Sequence, residues 1–265
     1  MEKYWLVIKN TWGEYFIYRL NFVMWRVRTI LQLLVVYFLW SAIFQSQKGV
    51  IFGYTQSMIL TYVLGGALLR ATVFSSRTID VGDEINRGNL TNFLLKPMSY
   101  FKYWFARDIA DKILNIIFAV FELTVIYFLL KPPIFSQTDF LNLAFFAIGV
   151  GLAVILYFYI NLLFGLLAFW TPETWAPRFV FFIFLEFLAG GLFPLDILPK
   201  FLYEILRFLP LFYLNFFPLK IYLGQLSILQ IIEGMIICLS WIILSFWIVR
   251  VVWQRGLRVY SAEGR

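Results

Sequence analysis

Histidine is absent from all 265 residues, and cysteine occurs only once. The first absence removes imidazole zinc sites, Ser-His triads and most histidine proton relays together. The second leaves Cys238 without a partner for an internal disulfide, and its place inside a long apolar run makes it a small packing residue. Charge is scarce as well: 14% of the residues are Asp, Glu, Lys or Arg, against 62% hydrophobic and 21% aromatic. No soluble domain of this length keeps such a surface in water. There is no G-x-x-x-x-G-K-[ST] loop, so the chain has no P-loop cradle for nucleotide phosphates. Asp80, Asp83 and Glu84 lie close together, but the glycine spacing of a calcium loop is missing. They read as a solvated face or a partner contact, and no metal is expected.

What the chain has instead is apolar length. Runs able to cross a hydrocarbon core of roughly 30 Å lie at 29–47, 50–69, 113–130, 140–169, 179–193 and 228–249. They predict an all-α integral membrane protein with six transmembrane helices, the fifth short and the fourth long. An even number of spans puts both termini on one side. That side would carry seventeen of the 22 Lys and Arg residues, which places the termini in the cytoplasm of a multi-pass plasma (bacterial inner) membrane protein. The net charge of +7 is then topology and attraction to anionic lipid; the cations are not interleaved with a groove-reading or stacking motif, so no nucleic-acid partner is expected.

The first long apolar run begins at Thr29, so no cleavable signal peptide is expected. Ahead of it, Trp5, Ile8, Trp12, Tyr15, Phe16 and Phe22 recur at helical spacing, with Lys9, Glu14, Arg19 and Arg26 on other faces. This predicts an N-terminal interfacial helix over 1–28, followed by one membrane domain over 29–252 and a cytoplasmic tail over 253–265. The two halves are not repeats, which argues against a secondary transporter.

Two stretches break the pattern. Between Glu186 and Gly224 the chain is apolar yet carries Pro194, Pro199, Pro210 and Pro218 and six charges. Each proline removes a backbone donor that lipid cannot replace, so a straight spanning helix is excluded and a re-entrant outer hairpin over 194–224 is predicted. Gly190, Gly191, Pro194, Pro199 and Pro210 are its candidate gate residues. Asp196, Lys200, Glu204 and Arg207 recur every three or four residues, which predicts a short surface helix from Pro199 to Phe208 with Phe201, Leu202, Ile205 and Phe208 turned inward. The second stretch is the connection 70–112, long for a loop. Its acids precede an apolar run, Gly88 breaks it and Pro97 stops it, so two short helices parallel to the membrane are expected.

Glu122 and Glu186 fall inside predicted spans. A carboxylate there costs about 2.5 to 3.5 kcal/mol on the insertion scale, which the many Leu, Ile, Val and Phe of the third span outweigh. Each is either a polar site along a substrate path or a hydrogen-bonded helix contact.

Three passages carry a resemblance. DEINRGNLTNFLLKPMSYF, 83–101, LAGGLFPLDILPKFLYEILRFLPLFYLNFFPLKIYLG, 188–224, and the basic tail QRGLRVYSAEG, 254–264, resemble the membrane (permease) subunit of type-two ABC exporters in order and spacing. The first departs from the family pattern at Asn89, where many relatives have Thr. The resemblance implies a second permease subunit, identical or related, and a separate ATP-binding cassette subunit that holds ATP and Mg, leaving this chain without cofactor or catalysis. It further implies coupling to the ATPase through Asp83, Glu84, Gly88, Leu90 and Pro97, and outward movement of an amphipathic, drug-like or lipid-like substrate. An ATP-independent membrane carrier and an intramembrane lipid-acting enzyme are the rival classes.

Overall fold

The computed structural model describes residues 2–17, 19–46 and 49–261, with the backbone alone at residues 2, 16, 17, 19 and 21. The side chains of Phe16 and Arg19, Lys48 and residues 262–265 lie outside that description. The described chain is helical: α1 Glu2–Ile17, α2 Arg19–Ser46, α3 Gln56–Leu69, α4 Asp80–Asn86, α5 Leu90–Leu94, α6 Tyr100–Leu130, α7 Phe140–Leu166, α8 Trp175–Leu188, α9 Lys200–Arg207, α10 Phe216–Tyr222 and α11 Ile228–Val259.

Local chemistry sets the ends. Thr55 accepts from the Met58 amide at the start of α3, Asp139 from Leu141 at the start of α7, and Ser227 forms a reciprocal box with Gln230 on α11. Lys131, in the left-handed region, ends α6 just before Pro132 and Pro133, which cannot continue it.

Five described helical segments are long and apolar enough to cross a membrane: Phe22–Ser46, Gln56–Phe74, Tyr100–Leu130, Phe140–Phe169 and Ile228–Val259. The predicted fifth span is not among them. It is α8, whose 14 residues reach about 21 Å at the usual helical rise. It stops because Gly190 takes φ +75 and turns the chain. The third span also differs from expectation. Asp108, Asp111 and Lys112 do not interrupt it, so 113–130 is only the later part of a 31-residue helix. At the far end α11 continues to Val259, so the boundary expected at 252 falls inside a helix.

The core is built around the stretch after Pro210. All of the residues from Leu211 to Ile221 are buried, and α10 lies against α3 and α7. Two glycines on α11 permit close approach: a Cβ at Gly234 would collide with the ring of Phe217, and one at Gly256 with the ring of Phe169. A smaller cluster at the other end joins Val81, Ile85 and Leu90 to Trp104, Phe158, Leu162 and Val249.

Candidate functional site

The connection between α3 and α6 forms a compact lever. α4 and α5 meet at Gly88, whose φ of +73 closes the turn without a Cβ clash. Four neighbours hold this unit. Tyr100 at the head of α6 donates its hydroxyl to Glu84 Oε2 at 2.9 Å, and Tyr260 beyond α11 donates to the Gly88 carbonyl at 2.6 Å. Gly165 of α7 sits so close to Val81 that a Cβ there would lie 2.8 Å from it. The loop ahead of α8 completes the ring: Asn86 donates to the Pro172 carbonyl at 2.9 Å, and Gly82 faces the Thr174 side chain. Burial raises the carboxyl pKa of Glu84, against the lowering hydrogen bond from Tyr100.

The expected coupling residues divide within this unit. Asp83 and Pro97 are exposed, Glu84 and Gly88 are half-buried, and Leu90 is fully buried as an anchor. The outward tip is made by Leu94 and Leu95, 50% and 82% exposed, with Lys96 and Arg87 beside them.

A second arrangement was not singled out in the sequence. A polar ladder climbs α6 from α4 toward the bilayer. Arg77 stands 3.6 Å from Asp80 and 3.4 Å from Asp111, Asn115 donates to the Asp111 carbonyl at 2.9 Å, and Arg26 donates to Asn115 at 3.2 Å. Arg26 then grips Glu122 through two bonds of 2.6 and 2.5 Å. Glu14 of α1 reaches Arg107 at 2.5 Å, and Trp12 donates to the Ala110 carbonyl at 2.9 Å, so α1 is fastened along α6. Burial raises the carboxyl pKa of Asp80, against the pull of Arg77 and Arg107.

Next to the ladder is a buried knot. After α3 the helix widens into a π-helical turn, Arg70–Phe74, a geometry that concentrates at functional places in helices. It leaves backbone carbonyls without intrahelical donors. Lys112 supplies them, donating to the carbonyls of Val73 at 2.9 Å and Ser75 at 2.5 Å and lying 3.3 Å from Asp108. Ser76 bonds the other Asp108 oxygen at 2.5 Å. In the same turn Arg70 forms a two-pronged pair with Glu186 of α8 and donates to the Gly191 carbonyl at 3.3 Å. Arg178, in the first turn of α8, is 2% exposed and has no partner for Nε or Nη2 among the described residues.

The candidate gate is likewise tied down at its root. The Gly190 carbonyl accepts from Tyr62 at 2.6 Å and Asn215 at 3.0 Å, and the Ala189 carbonyl accepts from the Phe216 amide at 3.0 Å. Beyond Pro194, Asp196 accepts from Lys220 at 2.7 Å and from Tyr54 at 2.9 Å. Pro199 precedes α9 and Pro210 opens a short 3-10 turn. The helix expected from Pro199 to Phe208 does form, but its apolar face is not turned into the chain. Phe201, Ile205 and Phe208 are 66%, 56% and 61% exposed, because α9 has no neighbour on that side among the described residues.

Glu122 and Glu186 are therefore not brought together: each carboxylate is held by its own arginine on a different pair of helices. A family model described as ABC-2 family transporter protein matches residues 30–264. The chain belongs to this family. It is a multi-pass membrane component of an ABC transporter. No curated protein matches the chain. The unit of α4 and α5 touches α6, α7, the loop before α8 and the segment just after α11 at once.

Proposed function

We propose that this ABC-2 permease is the transmembrane subunit of an ATP-driven exporter that works as a pair of permeases on separate ATP-binding subunits, and that it moves an amphipathic, drug-like or lipid-like molecule outward. The observation that carries the reading is the lever: a short two-helix unit with an exposed Leu94–Leu95 tip whose other side is fastened to four membrane elements. Closure of the ATP-binding partners would press Asp83, the Leu94–Leu95 tip and Pro97, and the polar ladder along α6 would carry the displacement to Arg26 and Glu122. The Arg70–Glu186 pair, at the junction of α3, α8 and the hairpin, is the proposed polar element of the substrate path. ATP and Mg would reside on the partner.

In this reading the membrane domain has six passes, with α8 and the following hairpin together making the fifth, and α1 works as an interfacial second lever. Affinity purification of the full-length chain from its native membrane, followed by mass spectrometry, tests the assignment. A co-purifying P-loop ATPase is expected, and its absence from active preparations would overturn it.

The orientation has its own check. In a Cys238→Ala background, a cysteine at the exposed Ser136 should react with a membrane-impermeant thiol reagent from outside, and one at the exposed Ser99 only after permeabilisation. The reverse pattern would invert every functional assignment above.

The outer hairpin is proposed as the gate, with α9 as its moving part and the buried stretch after Pro210 as its fixed base. Phe201 and Ile205 point away from their own chain, as an element meeting a second permease would. Single cysteines between Leu198 and Leu206, oxidised to link the two copies, should stop export while ATP binding by the partner persists, and reduction should restore it. Efficient linkage with undiminished export would make α9 scaffold.

A further inference from the structure

A buried arginine without a counterion is costly, because its charge has left water and gained no partner in exchange. Arg178 is such a residue: it is 2% exposed, and its Nε and Nη2 meet no acceptor among the described residues. Those two nitrogens form one edge of the guanidinium, the fork that fits both oxygens of a carboxylate.

The carboxylates of the surrounding elements are committed elsewhere, with one exception. Glu173 accepts from the Trp175 and Ala176 amides at 2.8 and 3.2 Å, Glu186 is gripped by Arg70, and Glu84 accepts from Tyr100. Asp80 stands 3.6 Å from Arg77 and 3.7 Å from Arg107. Asp83 is exposed, and its side chain makes no hydrogen bond or ion pair among the described residues; only its backbone carbonyl is engaged, by the Arg87 amide at 3.0 Å. Asp80 and Asp83 are the acids whose charge is felt at Arg178, and neither forms an ion pair with it among the described residues.

The backbones that carry the two groups already touch. Gly82, the residue before Asp83, lies so close to Thr174 that a Cβ would be 2.8 Å from its Oγ1, and Thr174 is about one helical turn before Arg178. Asn86, one turn after Asp83, donates to the Pro172 carbonyl at 2.9 Å. With no side chain at Gly82, little stands between α4 and the start of α8, so a displacement of α4 changes the separation of Asp83 and Arg178 directly.

We infer that Asp83 and Arg178 form an ion pair that is open in this structure and closes when α4 and α5 are pressed against α8. The inference rests on the exporter reading above, in which closure of the ATP-binding subunits presses Asp83. It gives Asp83 a partner within its own chain. The pressed position satisfies a charge that the position seen here leaves buried and unpaired, so the cost carried by Arg178 favours the movement.

The test uses the full-length chain in nanodiscs, in complex with its ATP-binding subunits and in a Cys238→Ala background. Asp83→Cys with Arg178→Cys, treated with a short bifunctional thiol reagent, should link within one chain at least about fivefold more when ATP and Mg are trapped with vanadate than without nucleotide. Arg178→Met should raise the thermal midpoint of the nucleotide-free complex by about 2 to 4 °C, since an uncompensated charge is gone, and should lower ATP turnover about tenfold. Asp83→Asn should leave that midpoint unchanged and lower turnover by a similar factor, and the two changes together should lower it no further than either alone. Equal linkage with and without trapped nucleotide would overturn the pair. So would a lowered midpoint or a failure to fold in Arg178→Met, which would show that the arginine is needed in the open position, and so would losses that multiply in the double variant. If no ATPase co-purifies, the exporter reading fails and this inference with it; a complex that vanadate traps without a change in linkage overturns this inference alone.

Discussion

Replacing Lys112 by methionine is expected to destabilise the protein by about 3 to 5 kcal/mol, because it leaves a buried carboxylate without its cation. Lys112 is 3% exposed and Asp108 is fully buried. The ammonium also closes the two carbonyls of Val73 and Ser75, which no other described donor reaches. Methionine keeps the length and apolar stem of the side chain, so the loss is electrostatic and not one of volume. Thermal unfolding of the detergent-purified chain should shift down by on the order of 10 °C. Lys112→Met combined with Asp108→Asn should recover a large part of the loss, since the uncompensated charge is then gone. A single variant as stable as the parent would mean that the knot is not what holds the end of α3.

The second large effect is expected at the lever and falls on coupling. Gly88→Pro forces φ from +73 to about −65 and removes an amide that donates to the Ile85 carbonyl at 3.1 Å. Glu84→Lys removes the acceptor of the Tyr100 hydroxyl and reverses a charge on the same unit. Both changes lie outside the membrane spans, so insertion and expression should stay near normal. Transport should fall at least about tenfold, equivalent to 1.4 kcal/mol in the driven step, while the partner's ATPase no longer responds to substrate. Full coupled transport in both variants would reduce the lever to a linker.

How far the sequence could be read depended on where charges sit. Four of the long helices were marked by uninterrupted apolar runs, although α2 begins at Arg19, so the boundary expected between an interfacial helix over 1–28 and a span from Thr29 falls inside it. The short helices at α4, α5 and α9 followed from Gly88, Pro97 and the spacing of Lys200, Glu204 and Arg207. The start of α6 was misplaced because Asp108, Asp111 and Lys112 look like loop charges. They recur with Asn115 and Glu122 at helical spacing, and that stripe was the available signal. The partners that bond them from elsewhere, Arg77, Ser76 and Arg26, lie far away in sequence and carry no local mark. The fifth run was read as a short span over 179–193, and its helix ends earlier, at Leu188, because an apolar run does not reveal that Gly190 within it takes a left-handed turn. Of the candidate coupling residues, the sequence could place them on one unit but not tell the buried Leu90 from the exposed Leu95.

The burial of the stretch after Pro210 bears on how the chain is made. Residues 211–221 cannot remain in lipid on their own, since Pro218 and the 3-10 turn that opens at Pro210 leave backbone groups that need protein around them. Synthesis order meets that need: α3 and α7, which receive α10, have already left the ribosome when it emerges. Only α11 comes later, and its Gly234 closes over Phe217. The last helix therefore acts as a latch in biogenesis, and chains truncated before Ile228 are left with an open core, a form that membrane quality control would meet first.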